Sequence, residues 1–308
     1  MASTPDQDKT AESKMSIADE IKASFQKGSM LTKLIYINLA VFVAVKLVQV
    51  VFFLFSAGQA GTFFLIDWLA VPASIDGLLS RPWTVFTYMF LHEGFLHILF
   101  NILWLYWFGR IFLEYLDENK LLGVYILGGL AGAALYILAF NLFPAFAQVL
   151  PVSRALGASA AVLAVVISIS VYVPNYTINL IFIGPVRLKY IAAFMIVLDL
   201  ISIAGSNAGG HIAHLGGALF GWFFIRQYRK GKDLTRGLNI MFFKISSWLK
   251  PGRKLTVEYR KPQTDYEYNR QKAQRQQQID DILDKISKSG YDSLSKEEKE
   301  ILFRVSNK

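Results

Sequence analysis

The sequence predicts an all-α protein that crosses a membrane several times, and three observations support this fold class. Hydrophobic residues make up 54% of the 308 residues, charged residues only 18%, and the mean hydropathy is +0.37. A soluble domain usually has about a quarter of its residues charged. Segments of about 20 apolar residues read as membrane-spanning helices, because only helices and closed barrels satisfy the backbone in lipid. Six such segments are present, at about 32–56, 93–113, 121–143, 155–173, 187–204 and 211–227.

The charge distribution predicts the orientation of these six spans. Residues 1–33 hold five basic and five acidic residues, whereas the tail from Arg226 holds twenty basic and eleven acidic ones, which equals the whole net charge of +9. By the positive-inside rule the tail is cytoplasmic, and an even number of spans places the N-terminus on the same side. A basic tail beside a membrane serves topology and contact with anionic lipid, so no nucleic-acid partner is expected.

The elements follow in a simple order. Residues 1–31 form a polar cytoplasmic segment with a short helix at Ile17–Phe25, and residues 32–227 form the transmembrane domain. The loop at 56–91 mixes aromatic and small residues, which suits short amphipathic helices in the outer interface. The N-terminal segment lacks the arginines of a transit peptide, and the chain has no cysteine for a disulfide or a thiolate metal site.

The cytoplasmic tail is predicted to have two parts. Residues 228–278 form a basic juxtamembrane segment and linker, in which Leu238–Leu249 reads as an interfacial amphipathic helix. Residues 279–308 form a helical hairpin, with a turn at Gly290 and a capping box from Ser295 to Glu298. The sequence leaves the partner of this hairpin unknown.

The first polar stretch in the apolar domain is HEGFLHILFN, which begins at His92. It resembles the zinc-protease motif HExxH with one residue too many. Two histidines five apart lie about 140° apart around a helix, so His92 and His97 cannot share a metal on one face. No metal and no cofactor are therefore expected. His97 and Asn101 are four apart on one face, which suits either a hydrogen-bonded pair between helices or a pair of functional donors.

Two further polar stretches lie at the starts of the fourth and sixth spans. Ser159 follows Gly157 and Ala158, where small residues also suit close helix packing. His214 precedes Gly217 and Gly221, which form a GxxxG face that brings the imidazole against a neighbouring helix.

The predicted topology places all three polar stretches in the outer part of the membrane. A serine beside a histidine makes a nucleophile and its base, and histidine or asparagine N–H groups can stabilise an oxyanion. The start of the fourth helix adds backbone N–H groups and the positive end of a helix dipole. Ser159, His214, His97 and Asn101 are therefore the candidate site.

Over about residues 80–225 the chain resembles the rhomboid intramembrane serine proteases. The resemblance rests on three motifs in order: HxxxxHxxxN at His92, His97 and Asn101, GxS at Gly157–Ser159, and AHxxG with its GxxxG face at His214, Gly217 and Gly221. It implies a Ser159–His214 dyad and an oxyanion hole made by His97, Asn101 and the Ser159 N–H. It also implies a membrane-embedded first loop ending near His92, a lateral gate at 187–204 and a capping loop between the last two spans. The tail is similar to that of rhomboids from Bacteroidetes-type bacteria, which would place the protein in the bacterial inner membrane.

Some positions depart from the family pattern. Thr84 stands where an arginine commonly follows the first-loop tryptophan, and Ala160 follows the serine in place of glycine. Leu163 stands where an aromatic ring often stacks on the catalytic histidine, so what orients His214 is open. Asp199, at similar depth on the fifth span, is one candidate, with a structural role or a gate contact as the alternatives.

The sequence therefore predicts an intramembrane serine endopeptidase that cleaves transmembrane proteins in the lipid bilayer. The alternative is a catalytically silent rhomboid-like protein that only binds transmembrane segments. A small transporter is disfavoured, because the two halves of the chain lack the symmetry and broken helices of that class.

Overall fold

A computed structural model describes residues 16–180, 183–249 and 265–306. The chain divides into two compact units, Met1–Leu249 and Lys250–Lys308. Most of the described chain is helical, in agreement with the predicted all-α class. The part of the predicted linker at 250–264 lies outside the described residues.

Eleven described helices build the first unit. They are α1 Ile17–Lys27, α2 Met30–Leu54, α3 Gly58–Leu69, α4 Ile75–Ser80, α5 Thr84–Thr87, α6 Phe95–Tyr115, α7 Glu118–Leu142, α8 Ser159–Tyr172, α9 Leu188–Ser202, α10 Ala208–Tyr228 and α11 Arg236–Leu249. Short 3₁₀ turns occupy Tyr88–Phe90 and Pro144–Phe146. The short helices predicted near the N-terminus, in the first loop and after the last span are thus confirmed as α1, α3 to α5 and α11.

Each predicted span coincides with one helix, namely α2, α6, α7, α8, α9 or α10. Among the described residues, α2, α6 and α7 are long and apolar enough to cross a membrane, whereas α8 is a shorter apolar helix. A helix of 14 residues measures only about 21 Å along its axis. That all six helices span the bilayer therefore stays a prediction.

Helix α8 lies at the centre of the bundle. Residues 160–170 are all buried, and α8 packs against both α7 and α10. Glycines make this packing possible, because a β-carbon at Gly217 or Gly221 of α10 would overlap the carbonyl oxygens of Ala160 and Ala164. A β-carbon at Gly132 of α7 would lie 2.6 Å from the Ala160 Cβ and 2.8 Å from the Ala213 carbonyl oxygen of α10, so the three helices pack against one another. Small residues on three helices thus bring the backbones close together and fix where α8 begins.

The first loop is tied to the segment that leads into α8. Strand β1, Val71–Pro72, pairs antiparallel with strand β2, Arg154–Ala155. Asp67 forms one ion pair with Arg81 and another with Arg154, the second with an N···O distance of 2.9 Å. A separate hairpin of β3, Thr177–Leu180, and β4, Gly184–Arg187, connects α8 with α9.

The second unit contains the predicted hairpin with an earlier start. Helix α12 spans Asp265–Ser289, so residues 265–278 are helical rather than part of a linker. Gly290 follows with φ of 75°, and α13 spans Lys296–Ser306. The capping box is confirmed, because the Ser295 N–H donates to Glu298 Oε2 at 2.7 Å and the Glu298 N–H donates to Ser295 Oγ at 3.3 Å. Lys285 of α12 pairs with Glu298 at 2.9 Å and joins the two helices.

The glycine contacts predict that Gly217→Ala destabilises the bundle. The added β-carbon meets the Ala160 carbonyl, so α10 must move away from α8, at a cost of about 1–3 kcal/mol. The matched control is Gly237→Ala in α11, where a β-carbon meets no atom within 4 Å. Thermal unfolding in detergent measures both variants, and an unchanged Tm for Gly217→Ala would contradict this account of the packing.

The capping box predicts a pH-dependent start of α13. The Ser295 N–H, followed by Lys285, holds the pKa of Glu298 below its usual range. Its stabilisation is therefore fully present above the pKa of an unfolded glutamate, about 4.3, and is lost as the pH falls through the lower folded-state pKa. In the native chain, hydrogen exchange of the α13 amides, corrected for intrinsic rates, should become faster as the pH falls below about 4.3. Glu298→Gln should remove the pH dependence and Glu297→Gln should retain it; the same profile in all three chains would be the contrary result.

Candidate functional site

The four candidate residues line one cavity. Its volume is about 1330 Å³, and Ser159, His214, His97 and Asn101 all contribute to its wall. The residues come from α6, α8 and α10, which are far apart in the sequence. Part of the rest of the wall comes from the first loop and from the segment before α8, including Asp67 and Arg154. The arginine is held by Asp67, so that ion pair keeps this side of the cavity in place.

Ser159 is the first residue of α8, and the backbone before it has a fixed shape. Gly157 has φ of 125°, a conformation that side chains other than glycine rarely adopt. Its N–H donates to the carbonyl oxygen of Tyr88 at 2.9 Å, which anchors the turn to the first loop. Ala158 occupies the N-cap position, and its methyl side chain cannot accept a hydrogen bond from the first N–H groups of the helix. The first N–H groups of α8, including that of Ser159, therefore have no acceptor inside the helix, and such groups favour a negative charge placed near them.

His97 lies beside the turn that leads to Ser159. A β-carbon at Gly157 would be 2.8 Å from His97 Nε2 and 3.5 Å from Ser159 Oγ. The His97 ring and the Ser159 hydroxyl thus flank the same glycine, which leaves room for both. Asn101 donates its amide to the His97 carbonyl oxygen at 2.8 Å in its own helix. That bond fixes the asparagine on the cavity face predicted from its spacing.

His92 supports His97 from behind. It is 2% exposed, and its ring meets the His97 ring edge-on with centroids 5.1 Å apart. Its Nδ1 lies 3.2 Å from the Phe90 carbonyl oxygen, which can only accept, so Nδ1 donates in this contact. Its Nε2 is buried without a hydrogen-bond partner among the described residues. His92 does not line the cavity and therefore packs behind the site rather than in it.

Asp199, one of the candidates for orienting His214, contacts its imidazole directly. Asp199 Oδ1 on α9 lies 2.8 Å from His214 Nδ1. The same oxygen lies 2.8 Å from Nδ1 of His211, a residue to which the sequence assigned no role. The signal for His211 was its position one turn before His214 on the same helix. No hydrogen bond joins Ser159 to His214 in the described part of the chain, and such pairs are often long without substrate.

Asp199 and its two histidine partners also have the chemistry of metal ligands. One ligand atom from each of Asp199, His211 and His214 lies within 4.8 Å of the others. Asp199 Oδ1 lies 2.8 Å from Nδ1 of each histidine, which is an ordinary hydrogen-bond distance. Two N–H donors therefore account for both contacts without a metal ion. His92 and His97, the pair from the HExxH-like motif, do not belong to this group.

Comparison with known proteins agrees with this architecture. The Rhomboid domain family matches residues 79–230, and a family of unknown function, DUF6576, matches residues 263–308. The chain is 33% identical over 170 residues to "RHOMBOID-like protein 12, mitochondrial" of Arabidopsis thaliana. This match covers 52% of the chain and 50% of the relative, so the chain spans about half the length of that protein. Residues 79–230 therefore form a domain of the rhomboid family.

Proposed function

We propose that the chain is an intramembrane serine endopeptidase that cleaves transmembrane proteins. The observation that carries this proposal is the meeting of Ser159, His214 and His97 at one cavity, at the uncapped start of a buried helix. Membership of the rhomboid family supports it, because most members of that family are serine proteases.

The reaction would begin with attack of Ser159 Oγ on the scissile carbonyl carbon. His214 Nε2 takes the hydroxyl proton, since its Nδ1 is bound to Asp199. The tetrahedral oxyanion is stabilised by the Ser159 N–H, the His97 ring and the Asn101 amide, which all line the cavity or its edge. His214 then gives the proton to the leaving amine as the peptide C–N bond breaks. Water, deprotonated by the same base, hydrolyses the acyl-enzyme and restores Ser159.

The same reasoning extends to the location of the protein. Apolar helices and family membership make it an integral membrane protein. We propose that both termini lie in the cytoplasm, because the excess of basic residues lies from Arg226 onward. We also propose the bacterial inner membrane, on the resemblance of the tail to that of bacterial rhomboids. The Bacteroidetes-type origin stays a prediction.

The second candidate function is a silent rhomboid-like protein that binds transmembrane segments. The name of the relative, "RHOMBOID-like", is the observation that keeps this candidate in view. The retention of both Ser159 and His214 at one cavity favours the protease. A binder has no need for a nucleophile and a base in the same cavity.

Ser159→Ala and His214→Ala are each expected to abolish cleavage of a model transmembrane substrate, because the nucleophile or its base is lost. The assay uses purified protein in lipid vesicles and is run with and without a strong chelator. Glu93→Gln is the matched control, because Glu93 lines the same cavity without a role in the proposed reaction. Full activity in either alanine variant would contradict the dyad, and loss of activity on chelation would point to a metal enzyme instead.

His97→Ala and Asn101→Ala are expected to lower kcat by about 10²–10³-fold each, the usual effect of removing one oxyanion donor. KM should change little, because these groups act on charge that develops in the transition state. Steady-state kinetics on the same substrate measures both constants. A rise in KM with kcat unchanged would assign the two residues to substrate binding and remove them from the oxyanion hole.

A further inference from the structure

Asp199 is a buried carboxylate on a helix that otherwise presents apolar residues to its surroundings. Its side chain is 9% exposed, whereas Phe194, Val197, Leu198 and Ile201 of the same helix are more than half exposed. A carboxylate inside a membrane protein is costly unless it is paired, so its partners identify its role. Both partners, His211 and His214, are on α10.

The two contacts determine which nitrogen of each ring carries the hydrogen. An ionised carboxylate oxygen can only accept, so Nδ1 of both His211 and His214 donates to Asp199 Oδ1 at 2.8 Å. In each neutral ring this leaves the lone pair on Nε2. For His214, which lines the cavity with Ser159, that is the nitrogen a general base has to use. The shared oxygen therefore selects the useful tautomer of the proposed base.

The same contacts hold α9 against α10. In the described part of the chain, the two bonds of Asp199 are the only side-chain hydrogen bonds from α9 to another helix. Both rings lie on one face of α10, edge-on to each other with centroids 5.8 Å apart. His211 does not line the cavity, so its bond serves the position of the carboxylate rather than contact with a substrate.

We propose that Asp199 is the positioning residue of His214, and that its oxygen, shared with His211, couples the packing of α9 to the state of the base. This inference rests on the proposed protease function. While α9 packs against α10, the carboxylate holds His214 with Nε2 free for Ser159. When α9 moves away from α10, both imidazoles lose their acceptor and the base loses its fixed tautomer.

Two measurements on the full chain in lipid test this coupling, each made with and without a chelator. In steady-state kinetics, Asp199→Ala and Asp199→Asn should lower kcat by between about 10-fold and 10⁴-fold, the upper limit being the loss seen when a catalytic triad loses its carboxylate. KM should stay within about threefold, because Asp199 does not line the cavity. His211→Gln should lower kcat less, since Asp199 still holds His214. Ser202→Ala, near the end of the same helix, is the control and should match the native chain.

The second measurement is the ¹⁵N NMR spectrum of the histidine side chains. In the native chain His214 should be in the single tautomer with hydrogen on Nδ1, and in Asp199→Ala it should become a mixture. This signature separates positioning from a general loss of stability, which thermal unfolding of each variant records in parallel. His211→Gln identifies the second ring in the spectrum.

The outcomes separate this inference from the proposed function. If the native chain cleaves substrate, Ser159→Ala does not, and Asp199→Ala retains the native kcat, the protease stands and the coupling is overturned. If the native chain is inactive, the NMR spectrum still decides, because an unchanged His214 tautomer in Asp199→Ala overturns the positioning role. Loss of native activity on chelation, restored by zinc, would also overturn it, because Asp199, His211 and His214 would then be metal ligands.

Discussion

The site depends on how closely α8 packs against α7 and α10. Gly217 and Gly221 of α10 lie against the carbonyl oxygens of α8, and Gly132 of α7 lies against both Ala160 of α8 and Ala213 of α10. Dispersion and close backbone packing, rather than the hydrophobic effect, hold helices together in lipid. This packing fixes the first residue of α8, Ser159, within the bundle, and with it the N–H groups that no helix residue can satisfy.

The polar residues around that point are held by contacts that reach across the chain. Tyr88 of the first loop accepts from the Gly157 N–H and fixes the turn before Ser159. Asp67 pairs with Arg154 just before this turn, and Asp199 holds His214 from a separate helix. Ser159 and His214, the proposed nucleophile and base, are thus placed by different elements, so the geometry of the pair depends on both the first loop and α9.

Much of this arrangement follows from sequence spacing, because helix geometry is regular. The six apolar segments, the shared face of His97 and Asn101, and the GxxxG face next to His214 depend only on residues within a few turns of one another. The contact of Asp199 with His211 could not be derived in this way, because it depends on the rotation of α9 relative to α10. The pairing of Asp67 with Arg154 joins residues 87 apart, and no local pattern predicts such a contact. Helix α12 begins at Asp265, well before the predicted start at Ile279. The prediction missed these first turns because they are polar and lack the apolar period on which it relied.

The claim that Ser159 is an activated nucleophile is tested most directly by the site of covalent modification. A fluorophosphonate is reacted with the native chain in lipid vesicles, and the modified residue is identified by mass spectrometry of the digested protein. The account predicts one adduct, on Ser159, that forms much more slowly in His214→Ala. No adduct in a correctly folded native chain, or an adduct on another serine, would contradict it.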